Sequence, residues 1–263
     1  MLKSGFSVST RCVVLVAFAV AAIAAPAAAS AEGPSPLHIA FVGDSMADGL
    51  WGAMFRRLGK DKCLADKVKL IRKAENGTGL TRLDKFDWVD EVGAIATDPG
   101  ADLFVGSFGV NDRQSIVDVD KKRTEYGGPD FDGRYEGIVE DVLRTALSHG
   151  SSFLVMGLPV MLDAAANADA AAKNKLFAEA VAHVASPRAV YVGPWTSQPP
   201  PDVYKPFLPN AKQTLVQVRA PDGVHFTTAG YDMVMDAFYP AIMDSLKQRG
   251  RDIAAECEQM GAK

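Results

Sequence analysis

Short apolar runs alternate along this chain with longer stretches in which apolar residues recur every three or four positions. Leu37–Val42, Val68–Arg72, Asp102–Ser107, Ser152–Met156 and Ala189–Val192 are four to six residues long. Each has the length and composition of a buried strand. Between them lie helical patterns. Met46–Leu58 places Leu50, Met54 and Leu58 at intervals of four. Leu83–Ala96 turns Val89, Val92 and Ile95 to one side before Pro99-Gly100 stops it. Arg134–Ser148 does the same with Ile138, Val142 and Ala146, and Gly150 follows where a helix ends. Ala164–Ala185 is an Ala-rich helix. Thr228–Gln248 repeats Tyr231, Met235, Phe238, Ile242 and Leu246 near spacing four. Strands alternating with helices predict an α/β fold with a five-stranded parallel sheet covered on both faces. No internal repeat and no break in composition divides residues 32–263, so that span reads as one domain.

The first thirty-one residues read differently. Lys3 and Arg11 precede an uncharged, Ala- and Val-rich run that ends Ala29-Ser30-Ala31. A basic start, an apolar middle and a small-x-small end predict a cleaved export signal at 1–31, and so a periplasmic or secreted protein with no stable membrane span after cleavage. The alternative is an uncleaved anchor, although alanine is a weak membrane residue and Pro26 interrupts the run. The 28 Lys and Arg against 32 Asp and Glu give a net charge of −4, and removal of Lys3 and Arg11 makes it −6. That balance offers no basic excess to displace counterions, so no nucleic-acid partner is expected. Cys12 leaves with the signal. Cys63 and Cys257 remain, and two cysteines in an exported chain suggest one disulfide.

In a parallel α/β sheet, ligands bind beyond the carboxyl ends of the strands. Four strand-end or turn segments there carry polar residues. Ser45 follows the first strand and opens the first helix. Taken alone it fits a plain N-cap first; the functional reading is a nucleophile whose oxyanion is held by helix N-terminal amides. His225 follows Asp222 by three residues through a Pro221-Asp222-Gly223 turn. A carboxylate at that spacing can accept the Nδ1–H bond and leave Nε2 as a base, or the pair can be purely structural. His38, His149 and His183 read as structural or solvated. Asn111, in Gly109-Val110-Asn111-Asp112, is either a turn residue or an amide donor to an oxyanion. Gly77 and Gly79 could each bring a backbone N–H close to the same point. Asp44 reads as ordering its turn.

Taken together, nucleophile, donors, base and orienter fall on successive strand ends in one order. In that order the sequence resembles the SGNH (GDSL-type) serine hydrolase superfamily, in a bacterial exported branch. Gly43-Asp44-Ser45 looks like its first block, with Met46 in place of the usual Leu. Gly77 and Gly79 look like the second, Gly109–Asp112 the third, and Asp222–His225 the fifth. The resemblance implies a three-layer α/β/α flavodoxin-like fold, Ser45 as nucleophile and His225 as base oriented by Asp222. It implies an oxyanion hole of the Ser45 N–H, a glycine N–H from Gly79 or Gly77, and the Asn111 side chain. In folds of that kind the first and last helices lie side by side and run the same way. Cys63 and Cys257, each just beyond one of them, would then emerge together and pair.

What such a chain would do is cleave small acyl esters, with acetyl on a cell-wall or extracellular polysaccharide as the expected substrate. An O-acyltransferase would use the same acyl-enzyme. A non-catalytic glycan-binding or assembly protein on this fold is the different-class alternative. No cofactor and no metal is expected, because no phosphate loop, dinucleotide fingerprint, HExxH or CxxC spacing occurs. Asp118, Asp120, Asp130 and Asp132 form an acidic stretch that reads as a solvated loop rather than a calcium site. A Pro-rich segment at 194–209 brings Trp195, Tyr204 and Phe207, which could stack on a sugar or pack the loop to the body.

Overall fold

Continuous apolar runs form the central strands of this protein, described by a computed structural model over residues 34–195 and 203–261 together with Met1 and Gly5. The segment read as an export signal lies outside the described residues except for Met1 and Gly5. The chain divides into Met1–Pro34 and Ser35–Lys263. Everything below concerns the second unit.

In chain order the first elements are β1 (Leu37–Gly43), α1 (Ser45–Leu58), α2 (Lys62–Lys67), β2 (Val68–Ala74), α3 (Trp88–Thr97) and β3 (Leu103–Ser107). Then come β4 (Ile116–Val117), β5 (Arg123–Thr124), α4 (Phe131–Ser148), β6 (Ser152–Met156), α5 (Ala164–Val184) and β7 (Ala189–Val192). The last are β8 (Phe207–Pro209), β9 (Leu215–Gln217), α6 (Thr228–Gln248) and α7 (Ile253–Gly261). Five strands form one sheet in the order β2-β1-β3-β6-β7, every neighbouring pair parallel. Counting only those five strands, this is the flavodoxin-like order, with its switch point between β1 and β3.

Successive side chains of a strand point to opposite faces. Ala40, Val42, Phe104, Phe153 and Val155 join Val92, Ile138 and Phe177 of α3, α4 and α5 in one core. Ile39, Phe41, Val105, Leu154 and Met156 join Leu50, Met54, Phe238 and Ile242 of α1 and α6 in the other. Both faces are covered, so the inner strands are apolar without alternation. The fold is the three-layer α/β/α arrangement expected from the sequence.

Five of the predicted strands and four of the predicted helices lie within a few residues of their observed bounds. The remaining helix does not begin at Leu83. Residues 80–87 are first pinned to neighbouring loops, by Val117 N–H to the Thr81 carbonyl (2.7 Å) and Asp84 N–H to the Val117 carbonyl (3.2 Å). Helix α3 starts only after Asp87, whose carboxylate accepts the Val89 N–H at 2.9 Å. Two short helices, α2 and α7, and the hairpins β4–β5 and β8–β9 carry too few residues to show a period. The sequence reading left them as connections.

Helices α1 and α6 lie against each other and both start at the carboxyl end of the sheet. Arg56 pairs with Asp232 and Arg57 with Asp236, each at 2.6 Å. Such exposed pairs contribute little. The holding force is the shared apolar face of Leu50, Met54, Met235 and Ile242. Beyond the far ends of these helices, α2 and α7 meet, and Cys63 is bonded to Cys257 with Cα atoms 5.7 Å apart. The bridge spans a sequence separation of 194. In the chain-entropy account, a loop of that length is worth roughly 5 kcal/mol, less any native strain. Reduction, or a Cys63→Ser/Cys257→Ser variant, should therefore lower the thermal midpoint markedly while leaving the opposite end of the sheet intact. Non-reducing mass spectrometry with melting curves reads this directly, and two free thiols in the purified protein would refute it.

Candidate active site

Strand β1 ends on Gly43, whose φ of +123° and contacts leave no room for a side chain. A Cβ there would stand 1.9 Å from the Ser107 carbonyl oxygen. The glycine lets β1 and β3 stay in register to their ends, Gly43 opposite Ser107, before the chain turns into α1. Asp44 then caps α1, and its side chain accepts the Met46 N–H at 2.9 Å. The N-cap reading of Ser45 is thereby corrected, because Asp44 takes that role and Ser45 is the first helical residue. Its hydroxyl is released for another partner.

That partner is His225. Ser45 Oγ lies 2.6 Å from His225 Nε2, and His225 Nδ1 lies 2.7 Å from Asp222 Oδ2. The other Asp222 oxygen accepts the backbone N–H groups of Val224 (2.9 Å) and His225 (3.0 Å). Burial pushes the Asp222 carboxyl up. The bonds from the Val224 N–H, the His225 ring and the His225 N–H outweigh it and bring the pKa down to about 2. Asp222 is therefore a carboxylate throughout the physiological range, able to hold one imidazole tautomer. The other described histidines are placed elsewhere: His38 Nδ1 is 2.8 Å from the Gly100 carbonyl, and His183 Nδ1 is 2.8 Å from Glu136.

Asn111 reaches the same end of the sheet from the loop after β3. Its side-chain amide donates to the Thr78 carbonyl at 2.8 Å, which uses one of its two N–H bonds. Gly77 and Gly79 flank Thr78. Gly77 is exposed, with φ +83° and open space around it. Gly79 is buried, and a Cβ on it would meet Asp112 Oδ1 at 1.9 Å.

Asp112 had no role in the sequence reading. It is fully buried and accepts four bonds, from Leu80 N–H (3.0 Å), Thr81 N–H (3.3 Å), Thr81 Oγ1 (2.9 Å) and Tyr135 OH (2.9 Å). It thus staples the loop after β2 to the loop after β3. Neither its spacing nor its neighbours in sequence announce this. Asp44 plays a matching part, its second oxygen accepting the Val110 N–H at 3.3 Å.

Of the acidic stretch, Asp118 pairs with Arg134 and Asp120 accepts the Lys122 N–H at 3.0 Å. Of the Pro-rich segment, Trp195 packs edge-on against Phe226, 5.6 Å between centroids, and Tyr204 stacks on Arg219. Both pack the loop to the body. Phe207 is outward-facing and 54% exposed. Residues 196–202 lie outside the described residues.

Three comparisons bear on this arrangement. A family described as "Protein of unknown function (DUF459)" matches residues 38–241. Among curated proteins there is no match. Solved structures do resemble the chain. A carbohydrate esterase family 3 protein from Talaromyces cellulolyticus aligns at 12% identity and a TM-score of 0.55, over 81% of this chain and 99% of its own. A catalytic mutant of Axe2, an acetylxylan esterase from Geobacillus stearothermophilus, aligns at 17% identity and 0.53, over 78% and 93%. The acetyl xylan esterase AlAXEase aligns at 17% and 0.52, over 78% and 100%. At these identities the likeness shows a shared fold, the three-layer α/β/α arrangement described above.

Burial, reinforced by nearby Asp112, pushes the Asp44 carboxyl from 3.8 up to about 7, against the opposing bonds from Met46 and Val110. An acid whose folded pKa is raised keeps its proton in the native state while the unfolded chain loses it. Stability should therefore fall as pH rises from about 4 to about 7, by an amount on the order of 4 kcal/mol at most, and level off above. Asp44→Asn cannot ionise, so its melting temperature should lack this decline, whatever its baseline. Parallel slopes for the two proteins across that window would contradict the assignment.

Proposed function

Since the chain belongs to the DUF459 family, described only as of unknown function, and has the SGNH hydrolase fold, we propose that it is an exported serine esterase cleaving small acyl esters. The observation that carries this reading is the unbroken chain from Ser45 Oγ through His225 to Asp222, at 2.6 and 2.7 Å. Those distances are within the hydrogen-bond reach a nucleophile, base and orienter require. Acetyl on a cell-wall or extracellular polysaccharide is the favoured substrate. Two of the similar structures are named acetylxylan esterases, and the run before Glu32 has the form of an export signal.

Ser45 Oγ attacks the acyl carbonyl while His225 Nε2 takes its proton. The imidazolium is stabilised by Asp222, already ionised. Negative charge on the carbonyl oxygen is met by the Ser45 N–H at the start of α1, the Gly79 N–H and the second N–H of the Asn111 amide. Gly79 is preferred to Gly77 because Asp112 packs against it and fixes the loop, whereas Gly77 is exposed. His225 returns its proton to the leaving alcohol, and water repeats the sequence on the acyl-enzyme. No step calls on a metal or an organic cofactor.

Ser45→Ala and His225→Ala should each lower ester turnover by on the order of 10³-fold or more, and the double variant should be little worse, because such residues act as a unit. Asn111→Ala should cost roughly 10²–10³-fold, as loss of one oxyanion donor does. A fluorophosphonate probe should label the wild type at Ser45 and leave Ser45→Ala unlabelled. Near-normal hydrolysis by Ser45→Ala would overturn the reading. Supplying an acetyl ester with and without a glycan acceptor then separates hydrolysis from transfer.

A further inference from the structure

Arg219 is 4% exposed, and among the described residues it pairs with no carboxylate. Its guanidinium instead donates to four main-chain carbonyls: Val160 at 2.7 Å, Val224 at 2.8 Å, His225 at 3.3 Å and Gly223 at 3.4 Å. Two aromatic rings flank it, Phe226 with its centroid 4.5 Å away and Tyr204 at 4.9 Å. Burying a cation with no carboxylate in direct contact is expensive, and an apolar side chain would fill the same volume at lower cost. Burial pulls this guanidinium down from its ordinary value, which is high enough that the charge persists.

The carbonyls it gathers are not scattered. Three belong to Gly223, Val224 and His225, the turn that carries the base next to Asp222. The fourth, Val160, belongs to the loop after β6. That loop is itself fixed to α5, where Asn174 exchanges two bonds with the Leu158 backbone at 2.7 and 2.8 Å and Asn167 accepts the Met161 N–H at 3.0 Å. It also abuts the turn directly. Leu162 N–H donates to the Gly223 carbonyl at 3.0 Å, and a Cβ on Gly223 would stand 2.4 Å from Leu162. A planar fork of five N–H groups can hold several carbonyls in one plane; an ammonium cannot.

We propose that Arg219 is a positioning residue, which locks the Asp222–His225 turn onto the β6–α5 loop and so sets His225 Nε2 against Ser45 Oγ. It touches neither the substrate nor the reacting atoms. The inference deepens the esterase reading and rests on it.

The test uses the full mature protein. Arg219→Met keeps volume between the two rings and removes the four donors. It should lower kcat by roughly 10²-fold, the scale of a displacement of about 1 Å between reacting groups. KM should change less than about threefold, and fluorophosphonate labelling should slow in parallel with kcat. Arg219→Lys, which keeps charge but not the fork, should be nearly as slow. In Arg219→Ala, added guanidinium should restore kcat saturably where equal sodium chloride or methylammonium does not. A variant that merely loosens the fold would show none of this selectivity. A readout independent of activity is the downfield proton resonance of the His225 Nδ1–H bond to Asp222, which should broaden or vanish in Arg219→Met. If the wild type is neither labelled nor active yet shows that resonance, and Arg219→Met loses it, the esterase reading falls while the positioning stands. If Arg219→Met or Arg219→Lys folds, keeps kcat within threefold and retains the resonance, the proposal is overturned. Should Arg219→Met fail to fold, Arg219→Lys and the guanidinium rescue decide by the same criteria.

Discussion

A carboxyl group with no access to water governs the site end of this fold. Asp44 is fully buried, and its two oxygens are met by main-chain N–H groups from different segments, Met46 in α1 and Val110 after β3. The unpaired amides at the start of a helix need an acceptor, and a short side chain at the N-cap supplies one. Because the second oxygen is committed to the neighbouring strand's loop, α1 cannot rotate about its start without breaking that bond. Ser45 is the next residue, so its hydroxyl direction is inherited from Asp44. The closeness of Gly43 to Ser107 is what brings the two loops within range. A side chain at position 43 would part β1 from β3 and leave the carboxylate buried without partners, the costliest outcome for a polar group.

The same solution recurs across the sheet. Asp112 accepts amides from the loop after β2, and Asn111 donates to a carbonyl in it. Asp222 accepts from its own turn, and Arg219 donates from that turn's base to the loop after β6. Each loop is thus held by a polar side chain that its neighbour's backbone satisfies. Loops at strand ends carry many unpaired main-chain groups, and burying them demands partners. Meeting that demand with side chains from adjacent loops ties the loops to one another. The groups that touch a reacting atom can then be few.

Fold class and element order were legible because they rest on periodicity. The five central strands are buried on both faces and read as apolar runs, and α1, α4, α5 and α6 are long enough to show their spacing. Helix α3 was placed too early because Leu83 and Phe86 continue its apolar pattern, while the bonds that hold residues 80–87 to Val117 lie far off in sequence. Short hairpins and α2 left no periodic trace. At the site, Ser45, Asn111, Asp222 and His225 stood out by residue type and by position after strands. Ser45 remained ambiguous until the neighbouring carboxylate was seen to take the cap. Asp112 and Arg219 were not legible at all. Arg219 acts on main-chain carbonyls, which have no letter in the sequence, and Asp112 on two amides and two hydroxyls that lie more than twenty residues away in sequence.

The division of labour between the two ends of the sheet follows from the shared direction of α1 and α6. Both helices begin beside Ser45 and His225 and end where α2 and α7 are bridged by Cys63 and Cys257. Their packed faces carry the load between, through Leu50, Met54, Phe238 and Ile242. The covalent tie therefore restrains the helices at their far ends, and the site fixes them at their near ends through Asp44 and the bonds of the Asp222 turn. Stability gained at the bridge costs the chemistry nothing, because no atom of it lies near the loops.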